Sequence, residues 1–189
     1  MDDDARALTV RGRRASLAVL GNLAARLAVN GTDLISGRTA LARGPAGWAP
    51  TITFAIAVVL VLHWLSAASR AAYRTSEDAM KYSASDALVY WFVPPFNLWV
   101  PYRMVREIER APQGGLTAKR AWLVPAWWVA FVLAMARVRV SGLDAPLEIA
   151  FSVAHLVSWL VAGGLFLAVI AHLNGLLQEG LARPAPSVC

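Results

Sequence analysis

Cysteine occurs once in the 189 residues, as Cys189, which excludes an intrachain disulfide and a cysteine-clustered metal site. Charge is scarce as well. Asp, Glu, Lys and Arg make up 16% of the chain, against about a quarter in a soluble domain. No serine sits in a nucleophile turn, and Gly114-Gly115 reads as a loop rather than a phosphate cradle. His63 and His155, on separate apolar segments, are too few for a metal site. With no catalytic constellation readable, neither an enzyme nor a cofactor is expected. Asn22 and Arg26 interrupt the first apolar stretch, and no convincing small-x-small site follows, so no removable signal peptide is read. There is no internal repeat.

Apolar residues, by contrast, are abundant: 58% of the chain is hydrophobic and the mean hydropathy is +0.51. They fall in long runs, which suits lipid as the solvent. The expected fold class is all-α: a polytopic membrane protein with four transmembrane helices and one Pro-broken re-entrant or interfacial segment. The expected organisation is an N-terminal tail (1–14), a single membrane domain (15–180) with spans near 15–35, 48–70, 119–140 and 147–175, and a disordered tail (181–189). The clearest span lies between Arg43 and Arg70, where no charged residue occurs. Its core can cross a hydrocarbon layer of about 30 Å, with Trp48 and Trp64 towards its ends. A second lies between Glu148 and Glu179. There Ala150, Ala154, Ser158 and Ala162 recur every four residues, a small-residue stripe suited to helix packing. The third, near Lys119–Val140, has a short uncharged part. The first, Ala15–Ile35, carries Asn22, Arg26, Asn30 and Asp33 at helical spacing, so a polar face turned towards the bundle interior is expected, with an amphipathic surface helix as the alternative.

The segment 86–102 is uncharged after Asp86 but contains Pro94, Pro95, Pro101 and Asn97, so it does not read as a continuous helix. Its flanks decide its placement. Arg70, Arg74 and Lys81 precede it; Arg103, Arg106, Arg110, Lys119 and Arg120 follow. If the segment does not cross, both groups join Arg6, Arg11, Arg13 and Arg14 on one side, leaving Arg38, Arg43, Arg137 and Arg139 outside. The positive-inside bias prefers that layout, with both termini cytoplasmic in a multi-pass cell-membrane protein. The formal net charge of +6 is then a topology and headgroup signal, and nucleic acid is not an expected partner.

The densest motif runs Lys81-Tyr82-Ser83, then Trp91-Phe92-Val93-Pro94-Pro95-Phe96-Asn97-Leu98-Trp99-Val100-Pro101-Tyr102-Arg103, then Arg106-Glu107-Ile108. With His63-Trp64-Leu65 and Arg70-Ala71-Ala72-Tyr73-Arg74 upstream, it resembles the bacterial membrane family called domain of unknown function 4328. That family's pattern is Tyr-Ser, then Trp-Trp-Phe-x-Pro-x-x-Asn-Leu-x-x-Pro-Tyr, then Arg-Glu-Ile/Leu-Trp. The resemblance covers most of the chain, but its specificity rests on Trp91–Ile108. The chain departs from the pattern at Tyr90, where the family often has Trp, at Glu109, where it has Trp, and at Ser66 or Ala67, where a tyrosine is expected. The resemblance implies a multi-helix membrane protein and no known activity.

The motif candidates are Tyr82, Trp91, Pro94, Asn97, Trp99, Pro101, Tyr102, Arg103 and Glu107. Asn97 can satisfy backbone groups freed at the break. Pro101 suits a helix first turn, and Trp91, Trp99 and Tyr102 suit a headgroup-level belt. Glu107, with Arg103 and Arg106 nearby, can form a weak local ion pair. The intramembrane polar candidates are Arg26, His63, Glu148 and His155; an Arg26–Glu148 pair with His155 below it is one expected arrangement. The leading functional expectation is a non-enzymatic membrane scaffold or sensor whose basic cytoplasmic face meets anionic lipid or a protein partner. The alternative is a small-solute or ion transporter using the break around Asn97.

Overall fold

A computed structural model of the chain describes residues 2–36, 44–76, 80–81, 99–113, 120–136 and 145–182. Every regular element among them is helical. α1 spans Asp2–Arg26 and runs through a π-helical turn, Leu27–Gly31, into the short α2, Thr32–Ser36. A 3-10 turn, Pro45–Trp48, leads into α3, Ala49–Thr75. α4 is Val100–Arg110, followed by a 3-10 turn at Ala111–Gln113. α5 is Leu123–Met135 and α6 is Ala145–Ala182.

Local chemistry accounts for the boundaries. α3 has Pro50 in its first turn and no further Gly or Pro up to Thr75. α4 likewise starts with Pro101 in its first turn, and Pro112 follows just beyond its end. α6 carries Glu148 in its first turn, where an acid meets the positive end of the helix dipole.

Two helical stretches are long and apolar enough to cross a membrane: Pro45–Thr75 and Pro146–Ala182, with mean hydropathies of 2.0 and 2.2 over their best windows. The 13 residues of α5 are apolar but would reach only about 20 Å at 1.5 Å per residue.

Side-chain contacts give the helix directions. Asp4 pairs with Arg74 while Asn22 bonds Pro50 and Thr53, so α1 and α3 are antiparallel. Gln178 bonds Thr9 and Gly163 faces Leu23, so α6 also opposes α1. α5 opposes α6, since Trp127 stacks on Phe166 and Phe131 meets Trp159. α4 caps the end where α3 and α6 terminate; Pro112, just past it, lies against Gly180 and Thr75. The core groups Leu8, Trp64, Leu65, Met104, Ile108, Val124 and Leu173, uniting all five of these helices.

The structure refines three expectations. The residues read as an N-terminal tail are helical from Asp2, and Leu8, Gly12, Ala15, Val19 and Asn22 form one buried stripe. Along the expected polar face Asn22 is buried, and Arg26 and Asn30 are both half-buried. Val29, seven residues after Asn22, continues the buried stripe of Leu8, Ala15 and Asn22 through the π-helical turn. Asp33's side chain lies outside the described residues. The small-residue stripe is packed at Ala162 and, beside it, at Gly163, where a Cβ would sit 2.7 Å from Leu23; Ser158 is half-buried, and Ala150 and Ala154 are exposed. Residues 183–189, read as the disordered tail, lie outside the described residues.

At Gly12 α1 comes close to α6: a Cβ there would sit 2.3 Å from Asn174 Nδ2. Asn174 is not free to retreat, because its Oδ1 accepts the indole N–H of buried Trp64 at 2.9 Å. Gly12→Ala should therefore destabilise the fold by about 1–3 kcal/mol through overpacking. Gly21 has open space around its Cβ position, so Gly21→Ala should gain about 0.5–1 kcal/mol of helix propensity. Thermal melts in detergent should move in opposite directions; equal shifts would exclude this close approach.

Candidate functional site

α4 is amphipathic. Val100, Pro101, Met104, Val105, Ile108 and Glu109 are buried, while Arg103 and Arg110 are exposed. The apolar members recur at helical spacing, which seats α4 flat on the end of the bundle. Trp99, 60% exposed, lies under the Arg103 guanidinium at 4.8 Å from ring to carbon. Tyr102 leans on Trp128 of α5, with ring centroids 6.4 Å apart. An exposed cation thus covers an exposed indole beside a half-buried tyrosine.

On its inner side, α4 carries a carboxylate with almost no access to water. The Glu109 side chain is 1% exposed. Its Oε2 accepts from Arg106 at 2.6 Å, and its Oε1 lies 3.4 Å from Nε2 of His172 on α6. Arg106 also donates to the carbonyl of Ala121, just before α5, at 2.9 Å. One buried cluster thus links α4, the start of α5 and α6. The sequence reading missed Glu109, His172 and Asn174 as contributors to the site. Glu109 could have been found: it lies four residues after Val105, on the apolar face of α4.

Glu107 does not pair with its neighbouring arginines as expected. It accepts the backbone N–H of Lys81 at 3.2 Å, while Arg103 lies on Trp99 and Arg106 turns inwards to Glu109. Pro101 starts α4 as read. Tyr82, Trp91, Pro94 and Asn97 lie outside the described residues.

The intramembrane candidates gather only in part, at the opposite end. Asn22, 4% exposed, donates to the Pro50 carbonyl at 2.8 Å and to Thr53 Oγ1 at 3.0 Å, and accepts from Arg26 Nε at 3.1 Å. The Arg26 guanidinium lies 3.5 Å above the Trp159 ring. The Trp159 indole N–H in turn donates to His155 Nε2 at 3.2 Å. Arg26 and His155 therefore meet through Trp159, and the expected Arg26–Glu148 pair does not form. Glu148 is exposed in the first turn of α6, and His63 is exposed on α3. Below Arg26 lies a cavity of about 90 Å³ with an almost entirely apolar lining. Among the described residues, no three His, Cys, Asp or Glu side chains gather as metal ligands.

The family model described as Domain of unknown function (DUF4328) matches residues 30–177. The chain belongs to this family. The match includes α3, α4, α5 and the clustered Glu109 and His172; Asn22 and Arg26 lie before it. No curated protein and no solved structure matches the chain.

Burial without an ion partner is costly, so the two arms of the Arg106–Glu109 pair should not be equivalent to the pair as a whole. Arg106→Leu alone should cost about 3–5 kcal/mol, because it leaves an uncompensated buried carboxylate. Arg106→Leu with Glu109→Leu should recover much of that loss. A double-mutant cycle from detergent melts checks this, and additive losses would show that the pair is not coupled.

Proposed function

We propose that this is a four-crossing membrane protein with both termini cytoplasmic, acting as a non-enzymatic scaffold or sensor. α4 would form its anionic-lipid-facing surface, and a protein partner could use the same basic side. The observation that carries this reading is the geometry of α4: apolar and ion-paired side chains inwards, Trp99, Arg103 and Arg110 outwards. The helix directions support the layout. The start of α1, the end of α3, α4, the start of α5 and the end of α6 share one end of the bundle. Arg6, Arg13, Arg14, Arg70, Lys81, Arg103, Arg110 and Arg120 are exposed along the segments at that end. This clustering is what the positive-inside bias requires of a cytoplasmic face. The transport reading rests on Asn97, outside the described residues, and the cavity within the bundle offers apolar walls rather than a polar path.

Topology is tested by the lone thiol. An impermeant maleimide should label Cys189 only after cells are opened; efficient labelling of intact cells would overturn the four-crossing layout with cytoplasmic termini.

The lipid surface is tested with Arg103 and Arg110, sparing Arg106, which is held by Glu109. Each basic side chain near an anionic surface contributes about 1 kcal/mol. Arg103→Gln with Arg110→Gln should weaken preference for anionic over zwitterionic lipid and make what remains less salt-sensitive. Undiminished anionic-lipid retention, measured on the purified protein, would remove lipid reading from the function of α4.

A further inference from the structure

The helices do not close around the core evenly. α1 and α3 pack together and both pack on α6, and α5 packs along α6. Among the described residues α5 makes no extended contact with α3. The cavity lies at this gap, backed by α1, with Phe54, Val58 and Leu62 of α3, Trp127 and Phe131 of α5 and Trp159 of α6 on its walls. Val58, Leu62 and Phe131 are only half-buried, so these walls run out to the surface of the bundle. The outward faces of the same two helices are apolar too: Ile56 and Val59 on α3 and Val129 and Leu133 on α5 are exposed.

Water is a poor occupant. A buried water needs two to four polar partners. Asn22, the polar side chain at the cavity, already directs its amide to Pro50 and Thr53, and its carbonyl accepts from Arg26. At one end of the seam, the Arg26 guanidinium spreads over Trp159 and lies 5.8 Å from the Phe54 ring centre. At the other, Trp127 stacks on Phe166 at 4.7 Å. The slot therefore has a cationic end, apolar walls and an aromatic floor. It is smaller than the apolar cavities of about 150 Å³ that accept benzene, so it suits part of a chain rather than a whole compact ligand.

We infer that this seam is a lipid-binding site, taking one acyl chain of a phospholipid between α3 and α5 with its phosphate towards Arg26. The inference rests on the reading that the bundle spans a membrane. The occupant follows from the continuity of the walls with outward apolar faces, which a bilayer would bathe in hydrocarbon, and from the charge at one end. Binding of this kind would also fill the gap that the weak α3–α5 contact leaves.

The test uses the full chain in vesicles of a phospholipid that carries a photoactivatable diazirine within one acyl chain, with adducts mapped by mass spectrometry. Adducts are expected on the lining residues Val58, Leu62 and Phe131 as well as on the outward Ile56, Val59 and Leu133. Val58→Trp or Leu62→Phe, which fill the slot, should remove the lining adducts and leave the outward ones. Labelling confined to outward residues, or lining adducts unchanged in a filled variant, would overturn the site while sparing the membrane reading. No acyl adducts on either set would overturn both. If the filled variants fail to fold, judged by their melts, the wild-type map decides alone.

Discussion

Apolar burial cannot tell the inside of this bundle from the outside. α5 is apolar almost throughout, and α3 and α6 present Ile, Val, Phe and Leu outwards as readily as inwards. Where inner and outer faces are equally apolar, close packing and polar contacts must choose which faces meet. Three contacts serve here: Trp64 to Asn174, Asn22 to Pro50 and Thr53, and Glu109 to Arg106 and His172. Each joins different helices, and each is costly to leave unmade in a low-dielectric interior. Glycines work with them. Gly12 and Gly163 let α1 approach α6 where side chains on the opposite helix already occupy the space.

These contacts also make the two ends chemically different. One end carries α4 and most of the described basic residues, with its buried carboxylate facing α6. The other has one cation over an indole and an apolar slot below it. The mid-level Trp127–Phe166 stack separates them, with Trp64 edge-on to the same Phe166. A continuous polar route along the bundle would have to pass this aromatic layer.

The long apolar helices were readable because lipid-scale length and absence of charge are one-dimensional properties. Thr51–Ala68 could hardly be anything but a long helix, and Pro101 could be placed at the start of one. Register was harder. The four-four-three spacing from Asn22 to Asp33 marks a broad face but not its centre: the buried stripe steps in sevens, from Ala15 to Asn22 to Val29, and leaves Asn30 at its edge. Partner choice was harder still. Arg26 had Glu148 as an obvious acid, yet it lies on Trp159, because relative helix height is set by packing that no local pattern encodes. Glu109 was passed over for another reason: charge is read as surface until its neighbours are known. Its position on the apolar face of α4 marked the exception.

Magnitudes bear on how α4 could act. If anionic lipid draws on Arg103 and Arg110, the pull is about 2 kcal/mol, at roughly 1 kcal/mol per side chain. Lifting α4 off the bundle would part Glu109 from His172 and Arg106 from the Ala121 carbonyl. It would also expose Met104, Val105 and Ile108, each at most 1% exposed when docked, at roughly 1.5–3 kcal/mol per fully buried apolar side chain. The surface attraction is the smaller quantity by a wide margin. α4 is therefore poorly suited to act as a detachable arm and well suited to act as a fixed platform.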